Sequence, residues 1–153
     1  DYTGIGSVMA RQGRIGTGPG QYPGSMQGIL RYIHDNPAQG DALMRQNRSY
    51  VFFRENPQPS AVGAMGVPVM AQTSVAADPS FVPLGAPVWL QTDRANVGGL
   101  WVAQDTGGAI KGPNRFDSFW GAGADARRIA GGMSAHGQAL VLLPKGTLAR
   151  LGR

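Results

Sequence analysis

Apolar positions recur at helical spacing in the first third of the chain and as short separate runs thereafter. Ile5, Val8 and Met9 share one face of a short helix, with Thr3 placed to cap it and Gly13 just past its end. A loop with four glycines and two prolines covers 14–24. Ser25 then caps a second helix in which Met26, Ile29, Leu30 and Ile33 follow the i, i+3, i+4, i+7 rule. Asp35, Asn36 and Pro37 stop it, and Asn36 with Pro37 can open a third short helix with Leu43 and Met44 inward. "SYVFF", 49–53, is rich in β-branched and aromatic residues and predicts a strand.

"ENPQPS", 55–60, reads as a hinge, and the texture changes after it. "VGAMGVPVM", "SVAAD", "APVWLQT", "GLWVAQD" and "ALVLLP" are short apolar runs separated by turn residues. One amphipathic helix interrupts them at about 123–135, with Ala126, Ile129, Ala130 and Met133 inward. Many short strands and one helix predict a small barrel. The expected division is a helical lead-in with a strand over 1–58, packed on a β domain over 59–153. The opening "DYTGIGSVMARQG" already reads as the inside of a folded segment, so a longer parent chain is expected.

Composition narrows the class. The 153 residues include 24 glycines and 11 prolines, which favours many turns and short elements. Twelve arginines and two lysines against nine acids give a net charge of +5, which suits a polyanionic partner. The arginines are scattered, with only Arg127 and Arg128 adjacent and no aromatic platform among them, so nucleic acid is not an expected partner. The absence of cysteine excludes disulfides, thiol catalysis and thiolate metal sites. No run of eighteen apolar residues predicts a membrane-spanning helix.

Most familiar site patterns fail on spacing. His34 and His136 are about a hundred positions apart and belong to no metal-ligand motif, so no metal is expected. "GTGPGQ" at 16–21 has neither a strand leading in nor a helix starting on it, and "GGAIKG" lacks the phosphate-loop spacing. "GMSAHG" misses the serine-nucleophile elbow.

The carboxylates of "AQDTGGAIKGPNRFDSFWG", 103–121, remain. Asp105 ends an apolar strand, which is a rigid support for a polar side chain. Asp117 lies among Phe116, Phe119 and Trp120, where partial desolvation would raise its pKa towards the range of a general acid. The structural alternative is that Asp105 begins a turn and Asp117 caps the next segment.

"VPLGAPVWL", "GLWVAQDTGGAIKG" and "NRFDSFWGAG" resemble the three-aspartate (3D) domain of the MltA family of membrane-bound lytic murein transglycosylases. "YTGIGSVMARQG", "SMQGILRYIHDNP" and "NRSYVFFRE" are similar to the segment that precedes it in that family, so the resemblance covers nearly the whole chain. "AADPSFVPLG" supplies the first of the three aspartates at Asp78. Where many members carry a threonine and a glycine–arginine pair ahead of that run, Gln72 and Thr73 stand here.

The resemblance implies a mainly β fold with flanking helices, a six-stranded double-psi β-barrel left incomplete by the absence of an N-terminal part. It implies non-hydrolytic cleavage of the β-1,4 bond between N-acetylmuramic acid and N-acetylglucosamine in peptidoglycan, giving 1,6-anhydromuramyl ends, with no cofactor. Asp117 would be the general acid and base, and Asp105 the supporting catalytic carboxylate with Lys111 beside one of the two. Gln104, Thr106, Gly107, Gly108, Lys111 and Trp120 would contact the glycan, and Asp78 would be a structural acid. The implied partners are a peptidoglycan strand and the N-terminal part of the same protein; the implied location is the bacterial cell envelope, in the periplasm at the outer membrane. Two other readings stay open: a non-catalytic glycan-binding barrel like that of expansins, and a half that is inactive without its N-terminal partner.

Overall fold

The structure is a computed structural model that describes residues 3–49, 52–53, 55–57 and 60–152. The chain divides into two compact units, Asp1–Glu55 with Arg127–Met133 and Asn56–Ala126 with Ser134–Arg153.

The first unit is helical. Helix α1 spans Ile5–Arg11, and its N-cap is Gly4 with no side-chain cap bond, so Thr3 does not take the capping role its residue type predicts. Helix α2 spans Met26–Asp35, with the Ser25 hydroxyl accepting from the Gly28 N–H at 3.2 Å as anticipated. Asn36 ends α2 and stands at the N-cap position of α3, Pro37–Met44, without a side-chain cap bond, and Pro37 is in the first turn. Val8, Met9, Tyr32 and Leu43 are the buried centre, and Ile5, Ile15, Tyr22, Ile29 and Ile33 pack around them.

The inner face of α2 keeps Ile29 and Ile33 of the apolar stripe but centres on Tyr32. Tyr32 is buried and Met26 exposed. The cause is Gly28, one turn before Tyr32, which lies so close to Pro23 that an added Cβ would sit 2.0 Å from its carbonyl oxygen. A helix that approaches backbone at a glycine buries the face carrying that glycine, here Gly28 and Tyr32. Tyr22 then meets Tyr32 edge-on at 5.3 Å. In α3, Leu43 is buried but Met44 is not. Of the strand expected over 49–53, Tyr50 and Val51 lie outside the described residues, and Ser49, Phe52 and Phe53 are in no strand.

The second unit holds a five-stranded mixed sheet, in the order β4-β1-β3-β2-β5 among the described residues. The strands are β1 Ser74–Ala77, β2 Pro87–Thr92, β3 Gly99–Asp105, β4 Phe116–Ser118 and β5 Gly137–Val141. β1 runs parallel to β3; the other pairings are antiparallel. Period-two burial places Val75, Ala77, Val88, Leu90, Trp101 and Ala103 in the core. On the other face Trp89 is the register partner of both Leu100 and Leu140, and all three are exposed.

Four of the apolar runs after residue 60 thus become strands. "VGAMGVPVM" does not: it folds as a turn closed by the single bridge Val62↔Pro68, because Gly66 takes a left-handed φ of 79° and Pro68 has no N–H to donate. The sheet has five strands where six were expected. The helix expected over 123–135 is shorter: α4 spans Ala124–Gly131 with Ala126 buried, and a further turn, α5, covers Thr147–Arg150. No helix among the described residues is long and apolar enough to cross a membrane.

Candidate active site

β1 is the pivot of the site. Ala76 is the register partner of Asp105 on its parallel side and of Asp117 on its antiparallel side. Adjacent strands lie about 4.8 Å apart, so the two aspartate Cα atoms are roughly 10 Å apart with one alanine methyl between them. Buried Val75 and Ala77 flank Ala76, so the row Asp105–Ala76–Asp117 stands on the face away from the core.

Asp105 reaches that row through an irregularity. Val75 pairs with Ala103 but Ala76 pairs with Asp105, so β3 carries one extra residue, Gln104. A bulge of this kind re-aims the residue that follows it. In an unbroken ladder Gln104 would stand opposite Ala76 and Asp105 would turn to the other face. The bulge is held from two sides. The Gln104 carbonyl accepts from the Met65 N–H at 3.1 Å, and the Asp105 carboxylate accepts from the Ala64 N–H at 2.9 Å. Gly63 makes room for this: a Cβ there would lie 2.5 Å from the Gln104 carbonyl oxygen and 3.2 Å from the Asp105 Cβ. From the other side, the Gln104 side-chain oxygen pairs with the hydroxyl of buried Ser74.

Asp117 sits in β4 between Phe116 and Ser118, yet its side chain is 58% exposed. Of its aromatic neighbours in sequence, Phe116 points to the opposite side of the strand by period-two alternation. Its carboxylate lies 3.6 Å from the Arg115 guanidinium, an exposed pair of the kind that contributes about 0–1 kcal/mol. Trp120 is half-buried, packs edge-on against Trp101 at 6.0 Å, and donates its indole N–H to the Ser118 hydroxyl at 2.8 Å.

Asp78 lies two residues beyond Ala76 and is buried. Its carboxylate accepts from the Gly112 N–H at 2.9 Å and the Ser80 N–H at 3.0 Å. These two bonds, the one from Gly112 foremost, hold its pKa below the ordinary carboxylate value. Lys111 adds a smaller attraction in the same sense. Asp78 thus fastens the end of β1 to the loop that joins β3 to β4.

The remaining predicted contacts lie along that loop. Thr106 and Gly107 are half-buried and Gly108 is exposed. Gly107 accepts the Ile110 N–H at 3.0 Å, and an added Cβ would meet the Ile110 side chain at 2.8 Å, so this glycine serves the packing of buried Ile110. The sequence reading missed Ser74, Ala76, the Gly63–Ala64 backbone and Arg115. The one available signal was Ser74, a small polar residue opening an otherwise apolar run.

Comparison with known proteins covers both units. Residues 1–54 match the MltA specific insert domain and residues 73–143 the 3D domain. Membrane-bound lytic murein transglycosylase A of Escherichia coli K12 is 34% identical over 151 residues, which is 92% of this chain and 40% of that protein. The corresponding protein of Vibrio cholerae is 30% identical over 140 residues, 85% of this chain and 37% of its own length. Among solved structures, the membrane-bound lytic murein transglycosylase of Agrobacterium tumefaciens has a TM-score of 0.83 at 31% identity, covering 97% of this chain and 42% of that one. MltA of E. coli with bound chitohexaose has a TM-score of 0.69 at 32% identity, covering 86% of this chain and 41% of that one. The chain spans about two fifths of the length of the curated relatives it matches.

Proposed function

Since the chain belongs to the MltA family of lytic murein transglycosylases, we propose that it supplies the acid–base site of such an enzyme, acting on peptidoglycan in the bacterial cell envelope. The observation that carries this reading is the shared row: Asp105 and Asp117 flank Ala76 on one face of the sheet.

The proposed reaction needs one proton-transferring group. A hydrolysing glycosidase uses two carboxyls, one to protonate the leaving oxygen and one to activate water or attack the sugar. In the non-hydrolytic reaction the nucleophile is the C6 hydroxyl of N-acetylmuramic acid itself, delivered at high effective concentration. Asp117 gives its proton to the glycosidic oxygen as the C1–O4 bond breaks. The C6 oxygen closes on C1, and its proton passes to the Asp117 carboxylate, which restores the acid. Asp105, fixed by the Ala64 N–H, holds negative charge near the positive charge that develops at the sugar ring. Gln104, Thr106, Gly107, Gly108, Lys111 and Trp120 line the approach of the strand. Asp78 stays outside the chemistry and braces the loop. No cofactor enters.

The sheet is read as part of a six-stranded double-psi barrel. The activity, the glycan partner and any requirement for further polypeptide belong to the whole protein, whose relatives extend well beyond the matched region. The test is mass spectrometry of peptidoglycan treated with the protein and with Asp117→Asn. Anhydromuropeptides from the parent and none from the variant support the reading. Equal release by both, or glycan binding without any cleavage, would replace it with another acid or with a binding module.

A further inference from the structure

We propose that Ser74, which no functional reading of the site has included, is a positioning residue that orients the Gln104 amide and locks the bulge delivering Asp105 to the row it shares with Asp117. The proposal deepens the acid–base reading above and rests on it for its functional consequence.

Ser74 is 1% exposed and opens β1 two residues before Ala76. All its polar groups are engaged. Its N–H donates to the Met70 carbonyl at 3.0 Å, and its carbonyl accepts from the Phe119 N–H at 3.0 Å, two residues past Asp117. Its hydroxyl accepts from the Met70 N–H at 2.8 Å and pairs with the Gln104 side-chain oxygen. One buried residue therefore touches both strand ends that carry the candidate acids, β3 through a side chain and β4 through the backbone.

The hydroxyl has one proton and two lone pairs. With Met70 as its donor, the proton must find an acceptor, and the side-chain amide oxygen of Gln104 is that acceptor. This fixes which way the amide faces. With the oxygen turned to Ser74, the two N–H donors of Gln104 point away from it. A sugar hydroxyl or an N-acetyl carbonyl arriving at the row would accept from them. Swapping the amide ends would let the second lone pair of the hydroxyl accept from the amide but would leave its buried proton without the Gln104 acceptor, so the serine favours the donor-out orientation.

The experiment compares five proteins: the parent chain, Ser74→Ala, Ser74→Thr, Gln104→Leu and the double variant Ser74→Ala/Gln104→Leu. The probe is chitohexaose, with affinity read by calorimetry. The structural readouts are the NMR signals of the Gln104 side-chain amide and the carboxyl carbons of Asp105 and Asp117 through a pH titration. Ser74→Ala is expected to weaken chitohexaose binding about 5-fold, the equivalent of one net hydrogen bond. It should also move the amide signals and the titration of Asp105. Ser74→Thr retains the hydroxyl and should restore both. Gln104→Leu removes the partner at a half-buried position, so it reports on Asp105 even if Ser74→Ala fails to fold. The double variant Ser74→Ala/Gln104→Leu should lose no more than the worse single one, because the two act as a unit. Unmoved amide and carboxyl signals in Ser74→Ala, or additive losses in the double variant, overturn the proposal. A parent chain that ignores chitohexaose counts against the functional reading alone, and the NMR comparison still decides the role of Ser74.

Discussion

Asp105 and Asp117 occupy one row of the sheet, on opposite sides of Ala76, although twelve positions and a glycine-rich loop separate them in the chain. β1 pairs in parallel with one acid's strand and antiparallel with the other's. The spacer between them is the smallest side chain the row can carry. Ala76→Val adds two methyl groups on the open face, where no core packing resists them. The expected outcome is a folded protein with an unchanged midpoint of thermal unfolding and glycan affinity reduced several-fold. Unchanged affinity would show that the ligand does not enter between the acids.

Replacing Asp117 with Asn keeps the shape and removes the transferable proton. Loss of general acid–base catalysis is worth about 10²–10⁴-fold in rate. Asp105→Asn should cost less, because Asp105 acts on charge and transfers no proton. Rates of anhydromuropeptide release check the order, and a larger loss from Asp105→Asn would reverse the assignment.

Gly63→Ala tests the brace behind Asp105. The added methyl would meet the Gln104 carbonyl at 2.5 Å, and that backbone is held by the bulge. Crowding of this kind costs about 1–3 kcal/mol. Urea unfolding should show that loss, and the Asp105 carboxyl signal should shift with it. A variant as stable as the parent would mean that the 63–66 turn is free to move away.

Much of this geometry was legible in the sequence, for identifiable reasons. β2 and β3 announce themselves by alternation, and Ser25, Asn36 and Pro37 mark helix ends by their residue types. The strand β4 did not, because three residues are too few to show a period. Register is a property of two strands together, so neither the bulge at Gln104 nor the placement of both acids beside Ala76 can be read from either strand alone. The surroundings of Asp117 are hard to read for a related reason: Phe116, its neighbour in sequence, points to the far side of the strand, and its carboxylate stands exposed beside Arg115. In the helical unit Ile29 and Ile33 of the apolar stripe pack on the buried centre, while the approach of Gly28 to Pro23 brings Tyr32 inward and leaves Met26 outside.

At Gly28 two effects oppose each other and their sizes decide the outcome. Alanine is the better helix former by about 1 kcal/mol. Its Cβ would sit 2.0 Å from the Pro23 carbonyl oxygen, which only a displaced backbone can relieve. Overpacking costs typically 1–3 kcal/mol, so Gly28→Ala is expected to destabilise the helical unit. Calorimetry should record a lower unfolding temperature, and a higher one would show that the loop before α2 yields easily.

Acid should loosen the β unit through Asp78. Its folded pKa lies below the ordinary value because the Gly112 and Ser80 N–H groups bind the charged form. A depressed carboxylate stabilises the fold above the unfolded value of about 4, and that contribution is lost as pH falls through the lower folded value. Asp93, bonded by the His136 N–H, acts in the same direction. Urea unfolding between neutral and strongly acid pH should therefore show falling stability, with a shallower fall in Asp78→Asn. An equal slope in parent and variant would place the acid sensitivity elsewhere.

The extra residue in β3 also bears on how such a site can be lost or moved during descent. Most single-base changes at codon 104 swap one side chain for another and leave the aspartate beside its neighbour. An in-frame loss of that codon is a different event: the aspartate then follows Ala103 directly, an unbroken ladder still sets it beside Ala76, and what goes is the bulge together with the amide that pairs with Ser74. A descendant could thus keep every acidic letter in its gene and still lack the bulge and its contact with Ser74, and a residue-by-residue tally of retained aspartates would miss the change. Chain length between Ala103 and Asp105, not acid content alone, is what an alignment of such proteins has to track.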